Sequence, residues 1–470
     1  MIAFGTSGWR AIIAEGFTFE NVRRVTDAIA RSVLAGERAG LNRAVAIGYD
    51  TRFHSEAFAR EAAGVLATHG IKSVISPTPI PTPAVAHAIR HHGYAGAINI
   101  TASHNPAEYN GLKFSTERGA PAPPETTRAI EAAIAERWTQ AQPRVQGASP
   151  LIEERDFRDI YFEQLASLVR LDKVREAGIR LALDLRWGAA IGWLDGILAR
   201  RGIPATAIHD QRDVTYGGEG PDVSERNLKE LGNLVASGGF TLGLACDGDA
   251  DRFGVVDADG TWISPNLLLA LLADYLAETR GFRQGLGRSY ATTALIDAVA
   301  KHYGIPVLQT PVGFKYLGEH ILNNRVFLAG EESAGMSMAG HLPEKDGLLA
   351  GLLAAEMVAT RGASLSAQRD ALFAKVGALY SARRDLRVTE QQQARLRAHM
   401  ASPPARIGPW RVAKHTVLDG LRLDFDDTSW LLMRPSGTEP VVRLYAEAPT
   451  PEALVGLIDA GRADLIGDTA

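Results

Sequence analysis

Strand-like and helix-like patterns alternate along most of this 470-residue chain, in three successive blocks, and that alternation limits the folds open to it. In the first block, residues 17–34 carry Val22, Val25, Ala28, Ile29 and Val33 at helical spacing. Residues 44–50 then read as a strand, 55–69 as a helix, 73–75 as a strand and 96–100 as a buried strand. Four prolines between 77 and 83 predict a loop there. The second block has helix signals over 156–171, a strand over 180–185 that enters Arg186-Trp187-Gly188, and a strand over 242–245. The third has a strand at 289–292, a helix at 296–302 and a strand at 307–309.

The C-terminal part is patterned differently. A charged, Arg/Gln-rich helix (390–400), β runs at 421–425, 430–433 and 441–445, and a helix from Pro451 predict a smaller α+β domain. A chain this long exceeds what one hydrophobic core spans, so roughly three to four domains are expected. The expected fold class is α/β, with three related tandem domains of mixed sheets and a C-terminal α+β domain. Proline-rich crossings at 121–124 and 142–144 mark the first boundary. The expected divisions are 1–147, 148–253, 254–373 and 374–470.

Composition removes several function classes. Lys plus Arg number 50 against 54 Asp plus Glu, a net charge of -4, which argues against a general nucleic-acid binder. No apolar run approaches the ~18 residues a membrane span needs. The N-terminus lacks a basic segment followed by a long apolar one, so no signal peptide is expected. Cys246 is the only cysteine; no intrachain disulfide can form, and a reducing, cytoplasmic location is expected.

Four loops carry chemistry. The first is Thr101-Ala102-Ser103-His104-Asn105-Pro106, directly after the strand at 96–100. Proline at 106 keeps Asn105 out of the α region, so Ser103 sits on a loop past the carboxyl end of a strand, where ligands bind in open α/β sheets. Beside His104 and ten residues before Lys113 it is a candidate nucleophile, although serine also fills ordinary turns readily. The second loop is Asp247-Gly248-Asp249-Ala250-Asp251-Arg252, whose three alternate carboxylates can converge on one hard cation. A calcium-binding helix-loop-helix site would need glycine at loop position six and glutamate at twelve. Arg252 and Ala258 stand there, and 253–256 continues as a strand, so Mg²⁺ fits better.

The third loop, Gly330-Glu331-Glu332-Ser333-Ala334-Gly335, follows an apolar run and could present Glu331 and Ser333 to vicinal hydroxyls. The fourth, Arg434-Pro435-Ser436-Gly437-Thr438-Glu439-Pro440, offers an arginine fork, hydroxyls and turn N–H groups to a phosphate. It lacks the Gly-Lys-Ser/Thr ending of a P-loop, so triphosphate hydrolysis is not suggested.

In this order and spacing the four loops resemble those of the α-D-phosphohexomutase family, over essentially the whole chain. The resemblance implies four domains around a central cleft. It implies that Ser103 carries a phosphoryl group and that Asp247, Asp249 and Asp251 hold Mg²⁺ together with a phosphoserine oxygen. It assigns catalytic roles to Ser103, His104, Lys113 and Arg10. Sugar and phosphate contacts fall to Arg252, Lys315, Glu331, Ser333, Lys345, Arg434, Ser436, Gly437, Thr438 and Arg443.

The implied reaction interconverts hexose 1-phosphate and hexose 6-phosphate, with a hexose 1,6-bisphosphate as intermediate and activator. Thr310-Pro311-Val312-Gly313-Phe314-Lys315 and Glu344-Lys345-Asp346-Gly347 look closer to phosphoglucomutases, with mannose as a second sugar. Glu332 stands where phosphoglucosamine mutases usually have glutamine, and Gly335 where several dual-specificity members have histidine. The partner is a small phosphosugar, with no nucleic acid or membrane, and the chain is expected to be a monomer or homodimer. Alternatives are a phosphoglucosamine mutase, a phosphatase passing the phosphoryl group to water, or a non-catalytic phosphosugar sensor. The sensor would be marked by a lost nucleophile or metal ligand, and neither is lost.

Overall fold

The computed structural model describes residues 2–5, 8–35, 42–140, 149–436 and 440–467. Strands β1 (Trp9–Ile12), β2 (Asn42–Tyr49), β3 (Ser73–Ile75), β4 (Tyr94–Ile100), β5 (Tyr109–Thr116) and β6 (Ile152–Glu154) form a six-stranded sheet in the order β1-β5-β4-β2-β3-β6. β5 runs antiparallel to both its neighbours, while β2 pairs in parallel with β3 and β4. Helix Phe19–Ala35 turns Val22, Val25 and Ile29 onto this sheet's core, and helix Ser55–Thr68 adds Phe58, Ala59, Ala62 and Leu66.

A five-stranded sheet follows, from β7 (Leu181–Asp184), β8 (Ala205–Ile208), β9 (Leu242–Cys246), β10 (Phe253–Val256) and β11 (Trp262–Ile263), in the order β11-β10-β9-β7-β8. β7, β8 and β9 are parallel, whereas β9 and β10 form an antiparallel hairpin in which Phe253 faces Cys246. Further along, β12 (Gly285–Ser289) and β13 (Val307–Thr310) pair in parallel, followed by β14 (Val326–Glu331) and β15 (Gly335–Met338).

The C-terminal sheet is antiparallel throughout. It comprises β16 (Tyr380–Arg387), β17 (Arg406–Ile407), β18 (Trp410–Val417), β19 (Leu421–Phe425), β20 (Trp430–Pro435) and β21 (Val441–Ala448), in the order β16-β21-β20-β19-β18-β17. Leu423, Leu431, Leu444 and Ile458 lie in its core. The charged helix Glu390–Ala401 buries only Leu396, but a capping box between Thr389 and Gln392 satisfies its first amides.

The residues divide into two compact units: Met1–Pro265 with Phe314–Ala329 and Ser333–Leu365, and Asn266–Gly313 with Gly330–Glu332 and Ser366–Ala470. Among the described residues no single helix is long and apolar enough to cross a membrane.

Three expectations need correction. The strand predicted at 289–292 lies earlier, at Gly285–Ser289, because Thr292 N–H bonds back to the Ser289 carbonyl and turns the chain. The loop at 77–83 ends early: helix Thr82–His92 begins inside it, with Pro83 in the first turn, where its missing N–H costs nothing. Glu331 is the last residue of β14 and is not on a free loop.

Candidate active site

The first unit brings the first two chemistry-bearing loops together. Ser103 leaves β4 with φ 53°, a left-handed conformation fixed by its own N–H on the Thr101 hydroxyl (2.9 Å). β5 then returns antiparallel, setting Lys113 opposite Asn99, and β1 sets Arg10 opposite Gly111. The β9–β10 hairpin projects the acidic turn, in which Ala250 is left-handed (φ 58°) and its N–H bonds to the Asp247 carbonyl (2.9 Å). The two loops meet closely: a Cβ on Gly248 would stand 2.7 Å from the Ser103 carbonyl oxygen, so only glycine fits.

At this junction the Ser103 hydroxyl donates to Asp247 Oδ2 at 3.0 Å and lies 3.3 Å from His104 Nδ1. Lys113 Nζ is 2.5 Å from Asp249 Oδ2 and 3.1 Å from Asp251 Oδ2, and Lys345 Nζ is 2.5 Å from Asp251 Oδ2. Arg10 Nη1 donates to Asn105 Oδ1 (2.6 Å), and Arg252 N–H to Asp247 Oδ1 (3.0 Å). Lys345 is positioned by the start of helix Gly347–Arg361. That start is capped by buried Asp346, which accepts from Leu349 N–H (3.0 Å) and Tyr161 OH (2.7 Å).

Asp247, Asp249 and Asp251 are fully buried, and one ligand oxygen from each lies within 4.8 Å of the others. Among the described residues, Asp249 Oδ1 and Asp251 Oδ1 have no hydrogen-bond partner. Buried carboxylate oxygens without partners are costly, and an oxygen-seeking cation would satisfy them. The donor set therefore fits a hard divalent ion.

The electrostatics are polarised. Burial, then the charges of Asp249 and Asp251, holds the Asp247 carboxyl well above the usual carboxylate range. Burial pushes Asp251 the same way, but Lys113, Lys345 and Arg252 outweigh it and hold Asp251 far below. Burial lowers Lys113, yet Asp249 and Asp251 keep its ammonium above the ordinary value. His104 is kept neutral by burial, then by the positive charges of Arg252 and Arg10. Neighbouring Cys246 is buried, and burial followed by Asp247 pushes its thiol well up.

The remaining predicted residues are carried on other elements. Lys315, in helix Phe314–Leu322, rests 5.1 Å above the Tyr316 ring, and Ser333 lies in the turn after β14. In the second unit, Glu331 accepts from Gly313 N–H at 2.7 Å. Arg434 and Arg443 stand opposite one another on β20 and β21. Arg434 Nε donates to Asp419 (2.9 Å), Arg443 Nε lies 3.7 Å from Asp385, and Ser436 N–H bonds to the Val441 carbonyl. Gly437 and Thr438 lie outside the described residues.

Sequence reasoning missed three supporting side chains. Thr82 donates to Asp249 Oδ2 (2.6 Å) and accepts from Asn99 (2.6 Å), while buried Arg52 contacts the Ser103 loop. Thr82-Pro83 is a readable helix start; Arg52 and Asn99 carry no signal in the pattern.

The family comparisons bear on this geometry. Residues 1–141, 159–260 and 264–376 match the phosphoglucomutase/phosphomannomutase alpha/beta/alpha domains I, II and III, and 385–464 its C-terminal domain. A phosphoglucomutase from Komagataeibacter xylinus is 30% identical, covering 95% of this chain and 87% of its own. A phosphoglucosamine mutase from Frankia alni is 31% identical, covering 95% and 94%. A solved structure assigned as a phosphomannomutase, from Thermus thermophilus, superposes with a TM-score of 0.85 at 34% identity, over 98% of both chains. With all four domains matched in order and relatives this similar along the whole length, the chain belongs to the phosphoglucomutase/phosphomannomutase family of intramolecular phosphotransferases.

Proposed function

We propose that this phosphohexomutase interconverts hexose 1-phosphate and hexose 6-phosphate, with glucose preferred and mannose as a second sugar. Ser103 carries the phosphoryl group, and a hexose 1,6-bisphosphate is both intermediate and activator. The observation that carries this reading is the Ser103 hydroxyl 3.0 Å from Asp247, in a carboxylate triad with two buried oxygens that have no hydrogen-bond partner among the described residues.

The side chains divide the work. Asp247, Asp249 and Asp251 would hold Mg²⁺, with a phosphoserine oxygen as a further ligand. When bound, that ion supplies a Lewis acid that offsets phosphate charge and eases departure of the Ser103 oxygen. His104, neutral and 3.3 Å from the Ser103 hydroxyl, takes the proton given up by the attacking sugar hydroxyl, and Lys113, an ammonium held on Asp249 and Asp251, serves as the acid; such a group contributes roughly 10²- to 10⁴-fold. Arg10 and Arg252 add positive charge around the transferring group, and Lys345 borders it. Lys315, Glu331 and Ser333 read the sugar. Arg434, Ser436, Gly437, Thr438 and Arg443 grip whichever phosphate is not reacting, which a simple phosphatase would not need. These roles fall on four domains, 1–147, 148–253, 254–373 and 374–470, of a cytoplasmic monomer or homodimer.

A glucosamine preference is the second reading, favoured by relatives such as the Frankia alni phosphoglucosamine mutase. The test follows glucose 1-phosphate, mannose 1-phosphate and glucosamine 1-phosphate with Mg²⁺ and catalytic hexose bisphosphate, with Ser103→Ala in parallel. Fastest turnover of the glucose ester, abolished in the variant, is expected. Fastest turnover of glucosamine 1-phosphate would replace the sugar, and free phosphate as the main product would replace the reaction.

A further inference from the structure

Arg52, just past β2, is completely buried and uses every donor it has. Nε donates to Asp50 Oδ2 (3.1 Å). Nη1 donates to the carbonyls of Pro106 (2.7 Å) and Tyr109 (2.9 Å), and Nη2 to those of Ser103 (2.6 Å) and Asn105 (2.6 Å). A guanidinium has five N–H groups, and four of these five end on the nucleophile's loop and the first residue of β5 that follows it.

Burying a charge is expensive, and a single carboxylate, Asp50, offsets it. An apolar side chain would fill the space at lower cost, so stability alone does not explain an arginine here. The same loop holds Ser103 at φ 53°, a conformation costing a non-glycine residue of order 1 kcal/mol and kept only where the surroundings enforce it. We infer that Arg52 is a positioning residue that clamps the Ser103 loop and so keeps the phosphoserine aimed at substrate and away from water. The inference rests on Ser103 being the phosphoryl carrier.

The clamp is itself anchored from the block that bears the acidic turn. The Tyr216 ring lies 5.1 Å from the Arg52 guanidinium, and the Thr51 hydroxyl donates to Tyr216 OH (3.3 Å). Arg212 Nε and Nη2 donate to the carbonyls of Thr51 (2.9 Å) and Arg52 (3.2 Å). The second block repeats the device after β7. Arg186 N–H bonds to Asp184 Oδ1 as Arg52 N–H bonds to Asp50 Oδ1, and buried Arg186 reaches the carbonyls of Asn227 and Gly220. One strand-end Asp-x-Arg clamp thus serves two different loops.

Arg52→Lys tests this, because an ammonium with three donors cannot span four carbonyls and Asp50. Displacing a reacting group by about 1 Å costs about 10²-fold, so kcat for the hexose phosphate is expected to fall about 10²-fold with KM within about threefold. Phosphate loss should also accelerate: water attacks phosphorus, the Ser103 Oγ–P bond breaks, inorganic phosphate leaves and the serine oxygen takes a proton. Radiolabelled phosphoenzyme reads this loss directly, and sustained turnover should need more hexose bisphosphate. A purely structural arginine would lower Tm without moving either quantity.

Folded Arg52→Lys with wild-type kcat and phosphate retention would overturn the clamp. Should that variant not fold, Arg212→Gln, at an exposed position, removes two bonds to the clamp's backbone. It is expected to move both readouts the same way by about tenfold, and no change would overturn the proposal. If wild-type protein turns over no hexose phosphate, the activity reading fails separately. Hydrogen exchange at the Asn105 and Tyr109 amides, bonded to the Ala102 and Pro106 carbonyls, then decides the clamp. Faster exchange in Arg52→Lys supports it and unchanged exchange overturns it.

Discussion

Gly335, the first residue of β15, lies under the stem of Lys345: a Cβ at position 335 would overlap Lys345 Cγ and Cδ. The ammonium at the end of that stem is 2.5 Å from Asp251 Oδ2. Gly335→Ala is therefore expected to push Lys345 off the triad. The obstacle is a flexible side chain and not backbone, so the fold should lose no more than about 1 kcal/mol. Turnover should fall about tenfold, the cost of one misplaced charge-assisted bond of about 1.4 kcal/mol. Thermal melting and steady-state kinetics on the same preparation separate the two effects. Unchanged kcat would detach Lys345 from the reaction.

Acid stability should depend on His87. It is buried in helix Thr82–His92, near His91 and Tyr161, and its Nδ1 has no hydrogen-bond partner among the described residues. Burial, then the charges of His341, His91 and Arg90, lowers its pKa from 6.5 to about 4. The folded protein thus keeps the ring neutral where the unfolded chain binds a proton. The stabilisation is complete above pH 6.5 and is lost as pH falls towards 4. At about 1.36 kcal/mol per unit it amounts to about 3 kcal/mol at most. Urea unfolding from pH 7 to 4 should show this slope, and His87→Leu should flatten it. An equal slope in the variant would place the acid sensitivity elsewhere.

In the second unit, buried Glu447 on β21 gathers three donors: Ala294 N–H (2.7 Å), Trp430 Nε1 (2.8 Å) and the Thr293 hydroxyl. Burial raises its pKa, and those three bonds oppose the rise. Glu447→Ala strands all three donors, at about 1–3 kcal/mol for each buried group left unsatisfied. A loss of about 3 kcal/mol or more is expected in chemical denaturation, with Glu447→Gln losing less because its amide oxygen still accepts. Equal losses would mean that the carboxylate's charge, not its acceptor count, is what matters.

What could be read from the sequence followed the apolar runs. β4, β9 and β10 are short and apolar enough to announce themselves, so the serine loop and the acidic turn between β9 and β10 can be read from the pattern alone. β5 was not visible as a strand: it contains Asn110-Gly111, ordinarily a turn signal, and is held straight by ladders to β1 and β4. Lys113 was thus found by motif and not by its strand. β16 and β18 have no buried residue, so no apolar period marks them; pairing with β21 and β19 makes them strands. Arg52 and Asn99 act only through tertiary contacts with the loops they support, and no local pattern encodes such contacts.

Thr82 should set how tightly the triad takes its cation. It is the first residue of its helix, and its N–H donates to the Asp249 carbonyl (2.9 Å) while its hydroxyl donates to Asp249 Oδ2 (2.6 Å). Asn99 Nδ2 in turn donates to the Thr82 oxygen (2.6 Å), completing a chain from β4 to the acidic turn. The hydroxyl, together with Lys113 Nζ on the same oxygen (2.5 Å), fixes which Asp249 oxygen faces inward, and Oδ1, the other one, has no hydrogen-bond partner among the described residues. Thr82→Val keeps the shape but removes one of the two groups that orient the carboxylate and strands the Asn99 amide. Loss of a support behind a metal ligand typically costs 10–100-fold in metal affinity. In wild-type protein, Mg²⁺ at about one hundred times its Kd should stabilise the fold by about 2.7 kcal/mol, which chelation removes. The Thr82→Val variant should need about 10–100-fold more Mg²⁺ for the same rise in Tm. The same Mg²⁺ requirement in both proteins would show that Asp249 is oriented without Thr82.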